Sequence, residues 1–298
     1  MKCLFVYNPN SGKGSILKHI DFVVNSLKTK YEVVDSYATK SGEDAIRIAR
    51  EACGKYDLLV FSGGDGTFND MITGIGQNEN RPILGYIPTG TVNDISRNLK
   101  ITKRIKKAVQ VILDGHVMNH DVGMINDKYF MYVCGIGTFT GVSYRTAQHL
   151  KRKLGKIAYA VDGIKDIVKP QITQITIETS TQKLQFIAPL MLIVNSISVG
   201  GVVFNRDGHQ NDGHFDVIIV KNGINKGLGN IMKLMLFGFR KKNQHKHFTY
   251  LKVANMKVTV DDITQWCLDG EAGPKGEAII KNLHDHIQII VPKKKKWL

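Results

Sequence analysis

The stretch that decides the predicted fold is SGGDGTFND, residues 62–70, in which glycines separate a strand pattern from a helix pattern. The apolar run DLLVFS (57–62) precedes it, and Phe68 and Ile72 begin a helical repeat of apolar residues. Glycines at a strand-to-helix turn let phosphate oxygens reach the main-chain N–H groups of the helix N-terminus. A tight turn alone explains one such motif equally well, so the surrounding sequence has to decide.

Three more loops of this kind follow predicted strands in the first part of the chain. They are NPNSGKG (8–14), YATKSGEDA (37–45) and PTGTVND (88–94). Four such loops at one edge of a sheet are hard to explain as turns alone, because open α/β sheets bind ligands at the carboxyl ends of their strands. Neither the P-loop nor the GxGxxG pattern is present, and GIGTFTG (135–141) has the wrong spacing. The loops predict a phosphate site that follows neither standard fingerprint.

Strand and helix patterns alternate through the first 120 residues, which is typical of stacked βαβ units. Strands are predicted at 2–7, 31–38, 57–62, 83–88 and 116–125, and helices at 15–30, 41–54, 67–76 and 102–115. After about residue 121, strand-like segments follow one another, interrupted by helical insertions near 141–169 and 225–240. The predicted fold is an α/β N-terminal lobe with a mostly parallel sheet (1–121) and a β-rich, sandwich-like C-terminal lobe (122–298), with a cleft between the lobes.

The composition narrows the partners and the compartment. Lys and Arg number 41 against 26 Asp and Glu, a formal charge of +15, which predicts an anionic partner. The four cysteines lie far apart without a Cys-x-x-Cys pair, so neither a zinc knuckle nor a disulfide framework is indicated. Reduced thiols in a cytosolic protein fit this pattern. No uninterrupted apolar run approaches the roughly 18 residues of a membrane-spanning helix.

A second chemically distinctive stretch is QWCLDGEAGP, residues 265–274. A predicted strand ends at Asp269, Gly270 turns the chain and Glu271 follows, so two carboxylates are presented close together. One carboxylate can accept a hydroxyl proton while the other orients it or organises a cation, which is the pairing that phosphoryl transfer to an alcohol needs. A DG β-turn followed by a solvated glutamate is the alternative interpretation.

The stretches NPNSG, GGDGTFND, PTGTVND and LDGE, in this order over nearly the whole chain, resemble the soluble bacterial diacylglycerol kinase-like lipid kinases. That family shares its catalytic domain plan with sphingosine kinases and, more remotely, with NAD kinases and phosphofructokinases. The resemblance implies transfer of the γ-phosphoryl group of ATP to a lipid hydroxyl, foremost that of diacylglycerol, with phosphatidic acid as product. Asp65 would organise Mg²⁺ at the phosphates, and either Asp269 or Glu271 would be the base. The residues that the resemblance assigns to ATP are Asn8, Pro9, Asn10, Ser11, Gly12, Thr39, Gly63, Gly64, Asp65, Gly66, Thr67, Phe68, Asn69 and Thr91.

The resemblance also implies a structural Mg²⁺ in the loop HQNDGHFDV, residues 209–217. Its ligands would be the Asp212 carboxylate and the main-chain carbonyls of His209 and His214. Because hard oxygen ligands suit Mg²⁺, the histidines would contribute main-chain rather than imidazole atoms. A zinc site made of the imidazoles is the alternative.

The region between Val217 and Val260 contains nine Lys and Arg and no acidic residue. In NIMKLMLFGFRKKNQHKH (230–247), apolar residues lie beside a cationic cluster, which suits the headgroup region of an anionic bilayer. The basic stretches 145–156 and 292–298 add to it, although a core-packed apolar face with solvated lysines is the alternative. We therefore expect a cytoplasmic protein bound peripherally to the inner membrane leaflet. No nucleic-acid partner is expected, and an uncovered edge strand could pair two copies as a homodimer.

Two other functions stay open on sequence alone. An NAD kinase-like soluble small-molecule kinase would use the same GGDGT turn, but it requires neither PTGTVND, LDGE nor the basic apolar element. A catalytically silent lipid- or nucleotide-binding regulator would keep the loops without turnover. The sequence does not identify the lipid alcohol.

Overall fold

The computed structural model describes residues 1–138, 172–199, 202–203, 205, 208–221, 230–231, 234, 238–239 and 247–293. The chain divides into two compact units, Met1–His120 together with the segment that begins at Asp285, and Asp121–His284. The sequence-based boundary at 121/122 puts the last segment in the second lobe. The last segment instead belongs to the first unit, because Ile289, near the end of the last strand, pairs with Leu84 of that unit.

The first unit is built on a parallel sheet. The strands β1 (Lys2–Tyr7), β2 (Val33–Ala38), β3 (Leu58–Gly63) and β4 (Ile83–Pro88) lie in the order β2-β1-β3-β4, and each neighbouring pair is parallel. The end of β18 (Ala278–Ile290) pairs in parallel with β4. β3 is buried along its whole length, as expected of a central parallel strand that is covered on both faces.

Helices follow the strands of this unit. They are α1 (Ile20–Lys28), α2 (Gly42–Ala52), α3 (Asp65–Ile75), α4 (Asp94–Asn98) and α5 (Ile105–Asp114). The α-helix predicted at 15–30 begins later than expected, because residues 15–19 belong to an irregular 3₁₀ segment, Ser11–His19, in which Gly12, Lys13 and Gly14 adopt left-handed angles. For α4 the sequence predicts only a helix start at Asn93 and Asp94, without an end, because five residues are too few to show a hydrophobic period.

The second unit contains two antiparallel sheets. The first has the order β14-β13-β10-β7-β16-β17, and the second contains β9, β8, β15 and the start of β18. The bounds are β7 (Val133–Gly137), β8 (Thr173–Glu178), β9 (Lys183–Ala188), β10 (Leu190–Val194), β13 (Phe215–Val220), β14 (Phe248–Val253), β15 (Asn255–Thr259), β16 (Gln265–Leu268) and β17 (Glu271–Lys275). Shorter pairings join β5 (Val117–Ile125) to β6 (Lys128–Phe130) and β11 (Ser198–Val199) to β12 (Val202–Val203).

Side chains from both sheets of the second unit form one buried core, so the unit is a β-sandwich. Phe130 stacks on Phe215 at 5.4 Å between ring centroids, and the indole N–H of Trp266 donates to the Gly276 carbonyl at 2.8 Å. The predicted fold class, an α/β lobe with a mostly parallel sheet followed by a β-rich lobe, is confirmed; the cleft stays a prediction. The helical insertion near 141–169 lies outside the described residues, as does most of the one near 225–240. Within the described ranges, no helix combines the length and apolarity needed to cross a bilayer.

Candidate active site

The four predicted phosphate loops leave the carboxyl ends of β1 to β4, at one edge of the parallel sheet. β1 and β3 are neighbours although β2 lies between them in sequence, so the order of strands reverses direction between β1 and β3. Open α/β sheets bind ligands in the crevice at such a switch point. The loop NPNSGKG after β1 and the loop GGDGT after β3 flank this crevice.

Close main-chain approaches join three of these loops. A Cβ atom on Gly12 would overlap the carbonyl oxygen of Thr89, and one on Gly90 would overlap the Cα of Gly64. Gly12 also has a φ of 55°, which disfavours any side chain. The glycines are therefore required by contacts between the loops, in addition to any room they leave for a ligand.

Hydrogen bonds add to these contacts at the ends of β1 and β3. The main-chain N–H of Asn8 donates to the Ser62 carbonyl at 3.0 Å, and its side-chain amide donates to the Thr67 hydroxyl at 3.5 Å. The buried Thr39 donates its main-chain N–H to the Tyr7 carbonyl at 2.9 Å, where β1 ends. Hydrogen bonds thus connect Asn8, Thr67 and Thr39 at this edge of the sheet.

Asp65 braces the loop after β4. Its two carboxylate oxygens accept the main-chain N–H groups of Asp94 and Ile95, both at 3.1 Å, at the start of α4. Burial raises the pKa of Asp65, and these hydrogen bonds partly offset that effect. Each oxygen keeps further lone pairs, so the geometry is compatible with a Mg²⁺ ligand as well. The role of Asp65 at Mg²⁺ stays a prediction.

An aromatic cluster supports the same turn. The rings of Phe61, Phe68 and Tyr86 lie 5.0–5.1 Å apart, and the Tyr86 hydroxyl donates to the Gly63 carbonyl at 3.2 Å. Phe68, which the resemblance assigns to ATP, is fully buried in this cluster, so its side chain packs in the core. Sequence reasoning missed Tyr86, because its packing follows from the pairing of β3 with β4, in which Phe61 and Tyr86 are partners.

Beside the loop after β4 lies a basic pocket of about 510 Å³, which we call the anion pocket. Its lining includes Ser15, Thr89, Lys103, Arg104, Lys106 and Lys107. Lys103 Nζ donates to the carbonyls of Thr91 at 3.1 Å and Val92 at 3.0 Å, which fixes the exposed end of the loop. The stretch TKRIKK (102–107) was the sequence signal for this pocket, but it was interpreted only as the start of a helix.

Asp269 is an anchor for the turn that carries Glu271. Its carboxylate accepts the main-chain N–H groups of Met131 (2.5 Å), Tyr132 (2.9 Å) and Val133 (2.9 Å). Only 7% of Asp269 is exposed, and its φ of 49° is left-handed. A carboxylate that satisfies three main-chain donors holds its turn in place and is poorly placed to take up a proton.

Glu271 has a different environment. It begins β17, pairs with Leu268 and is exposed. Its carboxylate makes no hydrogen bond or ion pair with the part of the chain that the structure describes. Of the two predicted carboxylates, Asp269 holds the turn through main-chain hydrogen bonds and Glu271 is exposed; which of them is the base stays a prediction.

The predicted structural metal loop is closed by a lysine. Lys252 Nζ lies 2.7 Å from Asp212 Oδ2, and Asp212 Oδ1 accepts the main-chain N–H of His214 at 3.1 Å. Burial raises the pKa of Asp212, but the hydrogen bond and charge of Lys252 outweigh this and hold the pKa below its usual range. Lys252 and the His214 N–H each take one lone pair of the Asp212 carboxylate, and the Mg²⁺ site of Asp212, His209 and His214 stays a prediction.

Two residues of the predicted membrane element are part of the core. Ile231 is 0% and Leu234 is 1% exposed, so these side chains pack inside the protein. The other apolar residues of that element and the basic stretch 145–156 lie outside the described residues, as does nearly all of 292–298. For Ile231 and Leu234, the membrane interpretation was wrong, because helical apolar spacing looks the same on a core face.

Phosphate-type loops at the carboxyl edge of a parallel sheet, together with an exposed carboxylate held by an anchored turn, are the parts of a kinase. A family model described as the diacylglycerol kinase catalytic domain matches residues 2–125. The chain is 36% identical to a diacylglycerol kinase of Staphylococcus epidermidis, covering 97% of this chain and 91% of the relative. It is 33% identical to the diacylglycerol kinase of Bacillus subtilis strain 168, with 97% and 96% coverage.

The fold agrees with these sequence matches. A crystal structure of a diacylglycerol kinase from Bacillus anthracis strain Sterne matches with a TM-score of 0.83 and 27% identity, covering 98% of this chain and 97% of that one. The chain therefore belongs to the diacylglycerol kinase family and is a lipid kinase of that type.

Proposed function

We propose that the protein transfers the γ-phosphoryl group of ATP to the hydroxyl of diacylglycerol, which yields phosphatidic acid. The observation that carries the proposal is the exposed Glu271 carboxylate directly after a turn that Asp269 anchors. The names of the curated relatives support diacylglycerol as the acceptor. The phosphate-type loops at the sheet edge support a nucleotide as the donor.

The chain's own residues have distinct tasks in this proposal. The loop residues 8–12 and 63–67, with Thr39 and Thr91, hold the nucleotide. Glu271 accepts the proton of the lipid hydroxyl, while Asp269 keeps the turn in position. ATP with Mg²⁺, when bound, supplies the phosphoryl group and neutralises part of its charge. The structural Mg²⁺ in the 209–214 region is not part of the proposal, since Lys252 already pairs with Asp212.

We also propose that the protein meets its substrate at an anionic membrane surface. The formal charge of +15 and the acid-free region between Val217 and Val260 support this. Each basic residue near an anionic leaflet contributes about 1 kcal/mol to binding. Ile231 and Leu234 take no part in that contact because they are buried.

A kinase assay with a panel of acceptors tests the function. Purified protein is given ATP and Mg²⁺ with vesicles that contain diacylglycerol, monoacylglycerol or sphingosine, and separately with soluble NAD. We expect phosphatidic acid to form only with diacylglycerol vesicles. Turnover with NAD and without vesicles would favour the NAD kinase-like alternative. Nucleotide binding without turnover on any acceptor would favour the silent regulator.

A further inference from the structure

We propose that the anion pocket is a binding site for the phosphate group of a ligand, separate from the main-chain contacts of the four loops. The pocket belongs to the first unit, and its residues come from the 3₁₀ segment, the end of β4 and the start of α5. Four of the lining side chains are cationic and none is acidic. Such a concentration of positive charge in a concave space favours an anion.

Two of the four cationic side chains of the pocket contact other groups of the protein, and two make no such contact with a described residue. Lys103 Nζ donates to the carbonyls of Thr91 and Val92, and Lys106 Nζ lies 5.5 Å from the centroid of the Phe22 ring. Arg104 and Lys107 make no side-chain hydrogen bond or ion pair with any described residue. Arg104 can offer a planar, two-pronged donor set to phosphate oxygens, and Lys107 can add a point charge.

The position of the pocket indicates which anion it takes. Thr89 and Gly90 line it, and Gly90 packs against Gly64 of the GGDGT loop. Ser15, directly after the loop NPNSGKG, also lines it. The pocket therefore borders the predicted phosphate loops. The choice of phosphate rests on the proposed function, whereas the anionic character follows from the lining alone. The phosphate can belong to the nucleotide or to the headgroup of an anionic lipid, which the experiment separates.

The test compares two double variants that remove the same charge. Arg104→Gln with Lys107→Gln alters the pocket, and Lys28→Gln with Arg50→Gln removes two exposed cations on α1 and α2. Affinity for inorganic pyrophosphate and for ADP with Mg²⁺ is measured by calorimetry. Binding to phosphatidylglycerol and phosphatidylcholine vesicles without diacylglycerol is measured by flotation. We expect the pocket variant to bind one of the two phosphate sources at least tenfold more weakly than the control variant does.

The outcomes are distinct. Weaker pyrophosphate and ADP binding assigns the pocket to the nucleotide, and weaker binding to phosphatidylglycerol vesicles alone assigns it to a lipid headgroup. Equal affinities of the two double variants for all probes would overturn the proposal. The variant Arg104→Lys keeps the charge but loses the two-pronged donor set, so it should bind more weakly than wild type and more tightly than the Arg104→Gln, Lys107→Gln variant, which separates charge from folding. Wild-type protein that binds pyrophosphate through this pocket but phosphorylates no lipid would leave the pocket intact and refute the proposed function.

Discussion

At the scale of single residues, two carboxylates that are two positions apart are in different environments. Asp269 accepts three main-chain N–H groups, and the Tyr132 hydroxyl donates to its carbonyl at 2.8 Å. Glu271 is exposed. A general base needs an oxygen that can receive a proton in reach of the substrate, so the environment favours Glu271 in that role.

Glu271→Gln should lower kcat of the lipid kinase reaction by roughly 10²–10⁴-fold, because an amide cannot accept the hydroxyl proton. ADP affinity and the thermal unfolding midpoint should stay near the wild-type values. Phosphatidic acid formation measures kcat, titration calorimetry measures the ADP affinity, and scanning calorimetry measures the unfolding midpoint. The exposed Glu277→Gln is the control. A Glu271→Gln protein with wild-type kcat would exclude this residue as the base.

Asp269→Asn should destabilise the protein by roughly 2–4 kcal/mol, because an NH₂ group would face main-chain N–H donors and lose bonds to a charged acceptor. Denaturant unfolding measures the change, with the exposed Asp262→Asn as control. Unchanged stability combined with lost turnover would instead make Asp269 a direct participant in proton transfer.

At the scale of elements, the loop after β4 is fixed by neighbours on several sides. Asp65 holds its helical end, the Tyr86 hydroxyl donates to the side-chain oxygen of Asn93 at 3.4 Å, and Lys103 holds Thr91 and Val92. Asn93 is fully buried with a left-handed φ of 55°, and its amide donates to the Gly90 carbonyl at 2.6 Å. The loop is thus built as one unit with the GGDGT turn.

Gly90→Ala should separate this loop from the GGDGT turn, because the new Cβ would overlap Gly64 and lie 2.5 Å from Asn93 Oδ1. We expect a stability loss of about 1–3 kcal/mol and a loss of ADP affinity of at least tenfold. Gly42→Ala is the control, since the three atoms nearest to its Cβ would all belong to the Asp70 carboxyl group, at 3.2–3.4 Å, without the overlap found at Gly90. Equal ADP affinities for both variants would contradict the expected link between the loops.

His286 joins β18 to the end of α3 through a 2.9 Å hydrogen bond to the Gly76 carbonyl. Burial lowers the pKa of His286, the charge of Arg81 lowers it further, and the bond to Gly76 acts in the opposite direction. The unfolded chain, with a histidine pKa of about 6.5, therefore binds the proton first as the pH falls. Stability that is present above this pH is lost as the pH falls towards the folded-state pKa.

The measurable consequence is that the free energy of unfolding changes with pH. One proton contributes at most about 1.4 kcal/mol per pH unit, and His286→Gln should remove this contribution below about pH 6.5. Denaturant unfolding at several pH values measures it, and the exposed His116→Gln should keep the wild-type slope. A His286→Gln slope equal to that of wild type would show that this histidine does not carry the dependence.

At the scale of the whole molecule, the formal charge of +15 is the property most directly linked to a membrane partner. Protein binding to phosphatidylglycerol vesicles should fall by at least tenfold between about 0.05 and 0.5 M salt, because screening shortens the range of surface charges. Flotation measures the bound fraction, and phosphatidylcholine vesicles are the control. Equal binding to both vesicle types at low salt would contradict electrostatic recruitment.

The sequence by itself determined the strands of the parallel sheet within about two residues, the four loops after them and the β-rich second half. Glycine positions and short apolar runs are local signals, and local signals report strands and turns. The motif order also led to the family. The sequence did not show that the last segment belongs to the first unit, because this depends on strand pairing between residues about 200 positions apart.

Only the tertiary structure shows that Asp269 and Glu271 have different environments and that Asp212 pairs with Lys252. It also shows that Phe68, Ile231 and Leu234 are buried. The environments of Asp269 and Asp212 depend on partners distant in sequence, the 131–133 main chain and Lys252. A motif shows which groups are close along the chain, but it does not show which of them are already satisfied by distant donors. That is why the sequence predicted a kinase, and only the structure showed that its two carboxylates have different hydrogen-bond environments.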